Sequence, residues 1–447
     1  MMMVKKCFIA FLLILVFPVM TPAEDRNFKM HNNRGVADYD KGEIDRAIAD
    51  YDKAIEINPR YARGYYNRGI AYHDKGEFDR AIADYNKAIE INPQYAEAYY
   101  NRGIAFYDKG EFDRAIADYN KAIEINPLFA ELYYSRGIVY YDKGDSDKSL
   151  SDYNKAIEIN PRYAQPYFHR GVLYSKKGDF DGAISDFNKA IKINPGYAEA
   201  YYNRGLAYYA KGDFDGAIAD FNKAIKINPG YAEAYYNRGL AYYAKGDFDG
   251  AIADFNKSIE INPRYAKPYY HRGVLYSKKG DFDGAIADYN KAIEINPGYA
   301  EAYYNRGLAY YAKGEFDGAI ADYNKAIEIN QGYAEAYYNR GIAYNATGEF
   351  DRAITDYTKS IEINPLDAQS YNNRGVAYGK KGHHDKAIAD YTKSIEINPD
   401  YAEPYNNRGM AYHAKGEFDR ATADYIKAAQ LGNKNAKDTL RKSGIMW

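Results

Sequence analysis

Apolar and polar positions along this chain repeat with a period of 34 residues, and each period holds two helical stretches. In residues 198–231, AEAYYNRGLAYYAKGDFDGAIADFNKAIKINPGY, the positions Phe214, Ala217, Ile218, Phe221, Ala224 and Ile225 form the i, i+3, i+4, i+7 stripe of a helix with one buried face. The spacing predicts this helix over about Phe214 to Ile227. Asn228-Pro229 stops it, because the residue before a proline is pushed out of the helical region. A helix over about Glu199 to Ala210 is predicted ahead of it, ended by Gly212, since glycine accepts the left-handed backbone of a helix stop. Helices this short are marginal alone in water, so neighbours must hold them.

The period does not slip. Arg-Gly recurs twelve times at 34-residue spacing, from Arg34-Gly35 to Arg408-Gly409, which marks one structural unit stacked on itself. Each unit then contacts only its neighbours, and one elongated body is expected in place of the three or so domains that length alone suggests. Gly205, inside the first helix, costs roughly 1 kcal/mol relative to Ala, yet the column is always Gly. Close approach of the paired helix at the small Ala217 is the expected reason. Tyr201, Gly205 and Tyr208 share one face of the first helix; Glu199, Tyr202, Leu206 and Tyr209 share another, the candidate binding surface.

The 34-residue period, with Gly205, Tyr208, Ala217, Phe221 and Pro229 at signature spacing, resembles the tetratricopeptide repeat, over residues 28 to about 430. The resemblance implies an all-α fold: an α-solenoid whose helix-turn-helix pairs wind into a right-handed superhelix, with a concave groove lined by the first helices. Two positions depart. Tyr201 stands where the family usually has Trp, and Arg204 where it usually has Leu; the stem of Arg204 is expected to lie along apolar surface with its head in solvent. Chaperone-binding members of the family hold a partner's terminal carboxylate with Lys, Arg and Asn. Here only the Asn element (Asn101, Asn203) is present, and Ile104 and Leu206 fill another clamp position, so that partner class is not expected.

The candidate partner-binding residues are Tyr202, Asn203, Tyr209, Tyr236, Asn237, Tyr243, Tyr304, Asn305 and Tyr311. Two readings stay open. Rings can supply contact area while Asn amides hold an extended peptide, or the rings pack against the next helix pair and Asn is merely common there.

Departures mark particular units. The first has His31 and Asp38 in tyrosine columns, as suits an end helix facing water. The fourth has Ser146 and Ser149 in the Phe214 and Ala217 columns, which predicts a looser, more mobile joint. The ninth ends in Gln331 instead of Pro, and the eleventh carries His384 in the Phe214 column with Asn372 and Gly379 on the candidate face. Residues 163–264 reappear nearly verbatim as 265–366. After Leu431 the period fails, and Asn433 to Lys442 reads as a polar capping helix. The expected division is a leader at 1–23, the repeat array at 24–430, and the cap and tail at 431–447.

Composition narrows function. Lys and Arg total 60 against 62 for Asp and Glu, interspersed throughout, so neither nucleic acid nor a phosphate ligand is expected. Residues 1–23 have a basic start, the apolar run Cys7 to Phe17 and a small residue at Ala23, the layout of a secretory signal. The run is short of the ~20 residues that span a bilayer, and a membrane enters only if this segment is retained. Removing Lys5 and Lys6 takes the net charge from -2 to -2 - 2 = -4, and removes Cys7, the only cysteine. The expected location is the periplasm or envelope if the source is bacterial, or the membrane surface if the segment stays as an anchor.

No catalytic or nucleotide-binding motif is present, and no enzyme activity, cofactor or metal is expected. The adjacent His383 and His384 read as a solvated pair, and the recurring Asp213, Asp215 and Asp220 as a solvated face. The function expected is a non-catalytic protein-interaction scaffold. A self-assembling structural element and a glycan reader are the alternatives, the latter weakened by the scarcity of Trp.

Overall fold

The computed structural model describes residues 22–445, with side chains from Arg26 onward. The leader expected at 1–23 lies almost wholly outside the described residues. Twenty-five helices and no strand occur among those residues. None of the helices is long and apolar enough to cross a membrane.

Residues up to Lys211 form one compact unit and those from Gly212 a second. Within each, short antiparallel pairs stack in solenoid fashion in chain order, every helix touching the next. The first unit runs from the helix Pro22–Asp40 to Ala198–Ala210, and the second from Phe214–Ile227 to Lys434–Lys442. The pair Ala232–Ala244 and Phe248–Ile261 stands for the rest. Gly246 ends its first helix with φ +83°, a backbone that a side chain resists. Asp247 then accepts a hydrogen bond from the Gly250 amide at 2.9 Å and caps the second helix. Asn262, before Pro263, leaves the helical region with φ -129° and ψ 88°.

The core of each pair is a ring laid on a bare backbone. A Cβ added to Gly239 would lie 2.7 Å from the ring of Phe255, which is fully buried. The glycine column therefore admits the ring of the Phe221 column, and not, as the sequence suggested, the small alanine. Ala251 instead seals the contact from below, with its carbonyl 3.3 Å from that Cβ position. In the fourth pair Ser149 is as buried as the alanines it replaces, and its hydroxyl donates to Gly137 O at 2.8 Å.

Two expectations about charge are corrected. The head of the Arg204 column is not in solvent: Arg238 is 18% exposed, and its Nε and Nη2 donate to both carboxylate oxygens of Asp254. Arg238 Nη1 also donates to Asn222 of the preceding pair, and its guanidinium lies between the Tyr235 and Tyr242 rings. The Asp220 column is accordingly no solvated face, since Asp220 and Asp254 are 4% and 5% exposed. The other two acidic columns differ from it. Asp247, in the Asp213 column, is the cap described above, and Asp249, in the Asp215 column, is exposed and pairs with Lys279 of the next helix pair at 2.7 Å. Burial raises the Asp254 carboxyl while its hydrogen bonds to Arg238 work against that shift.

At the start of the array His31 is not simply wet. Its Nδ1 lies 3.3 Å from Asp50 Oδ1, alongside the ion pair of Asp50 with Arg34.

Candidate binding face of the first helices

The nine candidate residues lie on three first helices. Tyr202, Asn203 and Tyr209 are half-buried on Ala198–Ala210, at the end of the first unit. In the second unit Tyr236, Asn237 and Tyr243 sit on Ala232–Ala244, and Tyr304, Asn305 and Tyr311 on Ala300–Ala312. The helix Ala266–Lys278 lies between those two in chain order.

The two tyrosine columns do different jobs. Tyr304, in the Tyr202 column, packs on Tyr323 of its own pair at 6.0 Å and on Tyr333 at 4.9 Å. Its hydroxyl accepts from Asn339 Nδ2 of the next first helix at 2.9 Å. Tyr236 is buried to 6% exposure among Phe255, Tyr265 and His271. This column is largely structural. The Tyr209 column is more open: Tyr243 leans on Phe248 at 5.7 Å and Tyr311 on Phe316 at 5.3 Å, each half-buried.

The asparagines are also engaged. Asn305 Nδ2 donates to Tyr270 Oη and to Glu301 O, both at 2.9 Å. Its two N–H groups are thereby used, and what it offers a bound backbone is its carbonyl oxygen. Asn203 and Asn237 donate to Glu199 O at 2.8 Å and Glu233 O at 2.9 Å.

Next to the Tyr209 column runs a column that the sequence reading passed over, and its charge changes along the chain. In the first four pairs it holds Asp40, Asp74, Asp108 and Asp142. Tyr39 donates to Asp74, His73 Nε2 lies 2.7 Å from Asp108, and Tyr107 donates to Asp142 at 2.6 Å. That last bond, with burial, pushes the Tyr107 phenol up to about 12. Beyond these pairs the column turns to alanine and lysine. Lys176 lies 4.2 Å above the Tyr141 ring; Lys278 lies 4.7 Å above the Tyr243 ring and donates to its hydroxyl at 2.5 Å. The signal was present as a residue 35 positions after each tyrosine, which only the stacking of neighbouring first helices makes adjacent.

Among the described residues no three His, Cys, Asp or Glu side chains gather as a metal site. His383 caps the helix His384–Ile397 without a side-chain cap bond, and His384 lines a hollow between this pair and the next.

Family models match the repeats along most of the chain. Models described as "TPR repeat" match nine overlapping stretches from 35 to 348. Models described as "Tetratricopeptide repeat" match 334–366, 368–401 and 390–423. No curated protein matches the chain. Among solved structures, MamA is 32% identical over 37% of this chain and 96% of its own, with a TM-score of 0.35. YrrB, described as a TPR protein with an unusual peptide-binding site, is 30% identical over 44% of this chain and 97% of its own, TM-score 0.36. A tetratricopeptide repeat protein from Parabacteroides merdae is 26% identical over 55% and 97%, TM-score 0.41.

Proposed function

We propose that this chain, which belongs to the tetratricopeptide repeat family, is a non-catalytic scaffold that holds an extended segment of another protein against its first helices. The observation that carries the reading is the half-exposed Tyr209 column, Tyr209, Tyr243 and Tyr311, which recurs beside polar groups on the same helices. Such rings offer rigid contact area at small entropic cost, and a partner's backbone finds acceptors in the asparagine carbonyls. The Tyr202 column supports that surface from beneath. The balanced charge of the chain gives no attraction to nucleic acid.

The reading is tested with purified 24–447 as bait for an extract of the source cells. The bait is run beside Tyr209→Ala/Tyr243→Ala/Tyr311→Ala, with circular dichroism showing both folded. A protein retained by the native chain and lost with the triple variant supports the face; equal retention moves the interaction elsewhere.

Export is the second half of the reading and rests on the leader-like residues 1–23. The scaffold then works in the periplasm or envelope if the source is bacterial. Amino-terminal sequencing of the protein from fractionated cells tests it, and a start at Met1 in the cytosolic fraction overturns it.

A further inference from the structure

The eleventh pair lacks the aromatic contact that other pairs make on this face. In several pairs a tyrosine in the Tyr209 column leans on a phenylalanine in the Phe214 column, as Tyr107 does on Phe112, Tyr243 on Phe248 and Tyr311 on Phe316, while the fifth, eighth and tenth pairs keep the phenylalanine and hold Ser175, Ser277 and Asn345 in the tyrosine column. Here both rings are gone, replaced by Gly379 and His384. The loss leaves a hollow of about 270 Å³ between Val376 and Tyr391 of this pair and Met410, Ala411 and Ala414 of the next. Roughly 150 Å³ of apolar space suffices for a benzene ring. Met410 is 58% exposed at its edge, and methionine adapts its shape to what it meets.

The lining of the hollow carries one lysine, Lys380, beside His384. Between residues 380 and 386 stand Lys380, Lys381, His383, His384 and Lys386 against a single acid, Asp385. Asp385 is held by Lys415 at 2.6 Å, Lys381 pairs with Asp351, and Lys386 lies over the Tyr378 ring. Lys380 is different. Its counterparts Lys176 and Lys278 sit on the tyrosine of the preceding pair, but the residue there is Asn345. The Lys380 side chain is exposed and makes no ion pair, hydrogen bond or ring contact among the described residues.

We infer that this hollow is a docking pocket for an aromatic side chain of a partner segment that carries a carboxylate beside it. The ring takes the place of the missing tyrosine, over Tyr391 and against Met410, and the carboxylate pairs with Lys380. This rests on the reading of the first helices as a binding face and adds to it a specific anchor, separate from the tyrosine rows. The other chemistry the pocket would admit, an uncharged apolar side chain, leaves Lys380 unused.

The test follows the Met410 methyl resonance in the full chain carrying ¹³C-methyl methionine. The probe is the capped peptide Gly-Asp-Phe-Asp-Gly, compared with Gly-Asp-Ala-Asp-Gly and Gly-Lys-Phe-Lys-Gly. A saturable shift is expected with the first peptide alone. Gly379→Tyr, which restores the usual ring at a position where a Cβ meets only the Tyr391 hydroxyl at 3.7 Å, abolishes the shift. Lys380→Glu weakens binding about tenfold. A silent Met410, an equal response to the lysine peptide, or an unchanged response in Gly379→Tyr overturns the pocket. Any of these with partner retention still dependent on Tyr209, Tyr243 and Tyr311 leaves the groove standing. A Met410 response that persists while the triple variant retains partner as the native chain does overturns the groove instead.

Discussion

Arg238 holds Asp254 by two parallel hydrogen bonds, of 2.7 Å from Nε and 2.6 Å from Nη2, across the two helices of one pair. The third nitrogen of the same guanidinium reaches back to Asn222 of the pair before. One side chain therefore closes a pair and joins it to its neighbour. The same arrangement recurs at Arg102 with Asp118 and Asn86, and at Arg306 with Asp322 and Asn290.

Removing the acid alone strands a largely buried cation. Asp254→Ala is expected to destabilise its helix pair by about 3 kcal/mol. Adding Arg238→Leu, the residue more usual in this column, should recover most of that loss, because the pair's own desolvation cost disappears with it. Native-state hydrogen exchange of the amides in 248–261 measures both; a double variant no better than the single one refutes the account.

The exposed ladder behaves oppositely. Lys245 bonds Asp215 of the preceding pair, but both side chains are well exposed, and such pairs are screened and entropically costly. Lys245→Ala should leave exchange protection of the neighbouring helices unchanged at moderate salt. The chain already contains this experiment, since Thr347 stands in the lysine column. A clear loss of protection would mean that these pairs do join the units.

Gly239→Ala tests the ring-on-backbone contact. The methyl gains about 1 kcal/mol of helix propensity but forces the fully buried Phe255 ring to move, an overpacking cost of roughly 1 to 3 kcal/mol. Net destabilisation is expected, read as a lowered thermal midpoint. Gly246→Ala should destabilise as well, by strain at φ +83° with no neighbour involved.

His169 occupies an asparagine column and sits among Tyr134, Tyr153 and Phe168. Burial lowers its imidazole from the ordinary 6.5 to about 4, with the Asp142 carboxylate acting the other way. The folded chain thus keeps it neutral where the unfolded chain protonates it. Its contribution to stability is complete above 6.5, is lost as pH falls towards about 4, and changes no further below that. Titration of the imidazole by NMR should show the depressed value. His169→Asn should flatten the slope of stability over that window. A normal titration near 6.5 would show that the ring reaches solvent.

The helix pairs were legible because their signals are local. The 3.6-residue stripe fixed Phe214–Ile227 to the residue, and Gly and Asn-Pro marked the stops. What the sequence concealed depends on residues brought together from different helices. Arg238 and Asp254 are 16 positions apart and look like two solvated charges until the second helix folds back. Asp213, Asp215 and Asp220 lie within one stretch yet serve as a cap column, an exposed inter-pair column and a buried column. The tyrosines were equally ambiguous. Tyr236 and Tyr243 share a helix and a composition, but the phenylalanine and tyrosine rings packed over Tyr236 come from neighbouring elements, and only their placement separates the structural ring from the accessible one.

The join between helix pairs has one further consequence, for length. Where residues 163–264 meet the chain before them, Arg170 reaches Asn154 and Lys177 reaches Asp147. Where their near copy 265–366 begins, Arg272 reaches Asn256 and Lys279 reaches Asp249. The two seams are chemically the same. Three repeats inserted at such a seam meet the contacts they left behind, and no compensating change is needed on either side. The array is thus free to lengthen or shorten in whole steps, and the reach of the scaffold becomes a property that gene duplication sets without redesigning its core.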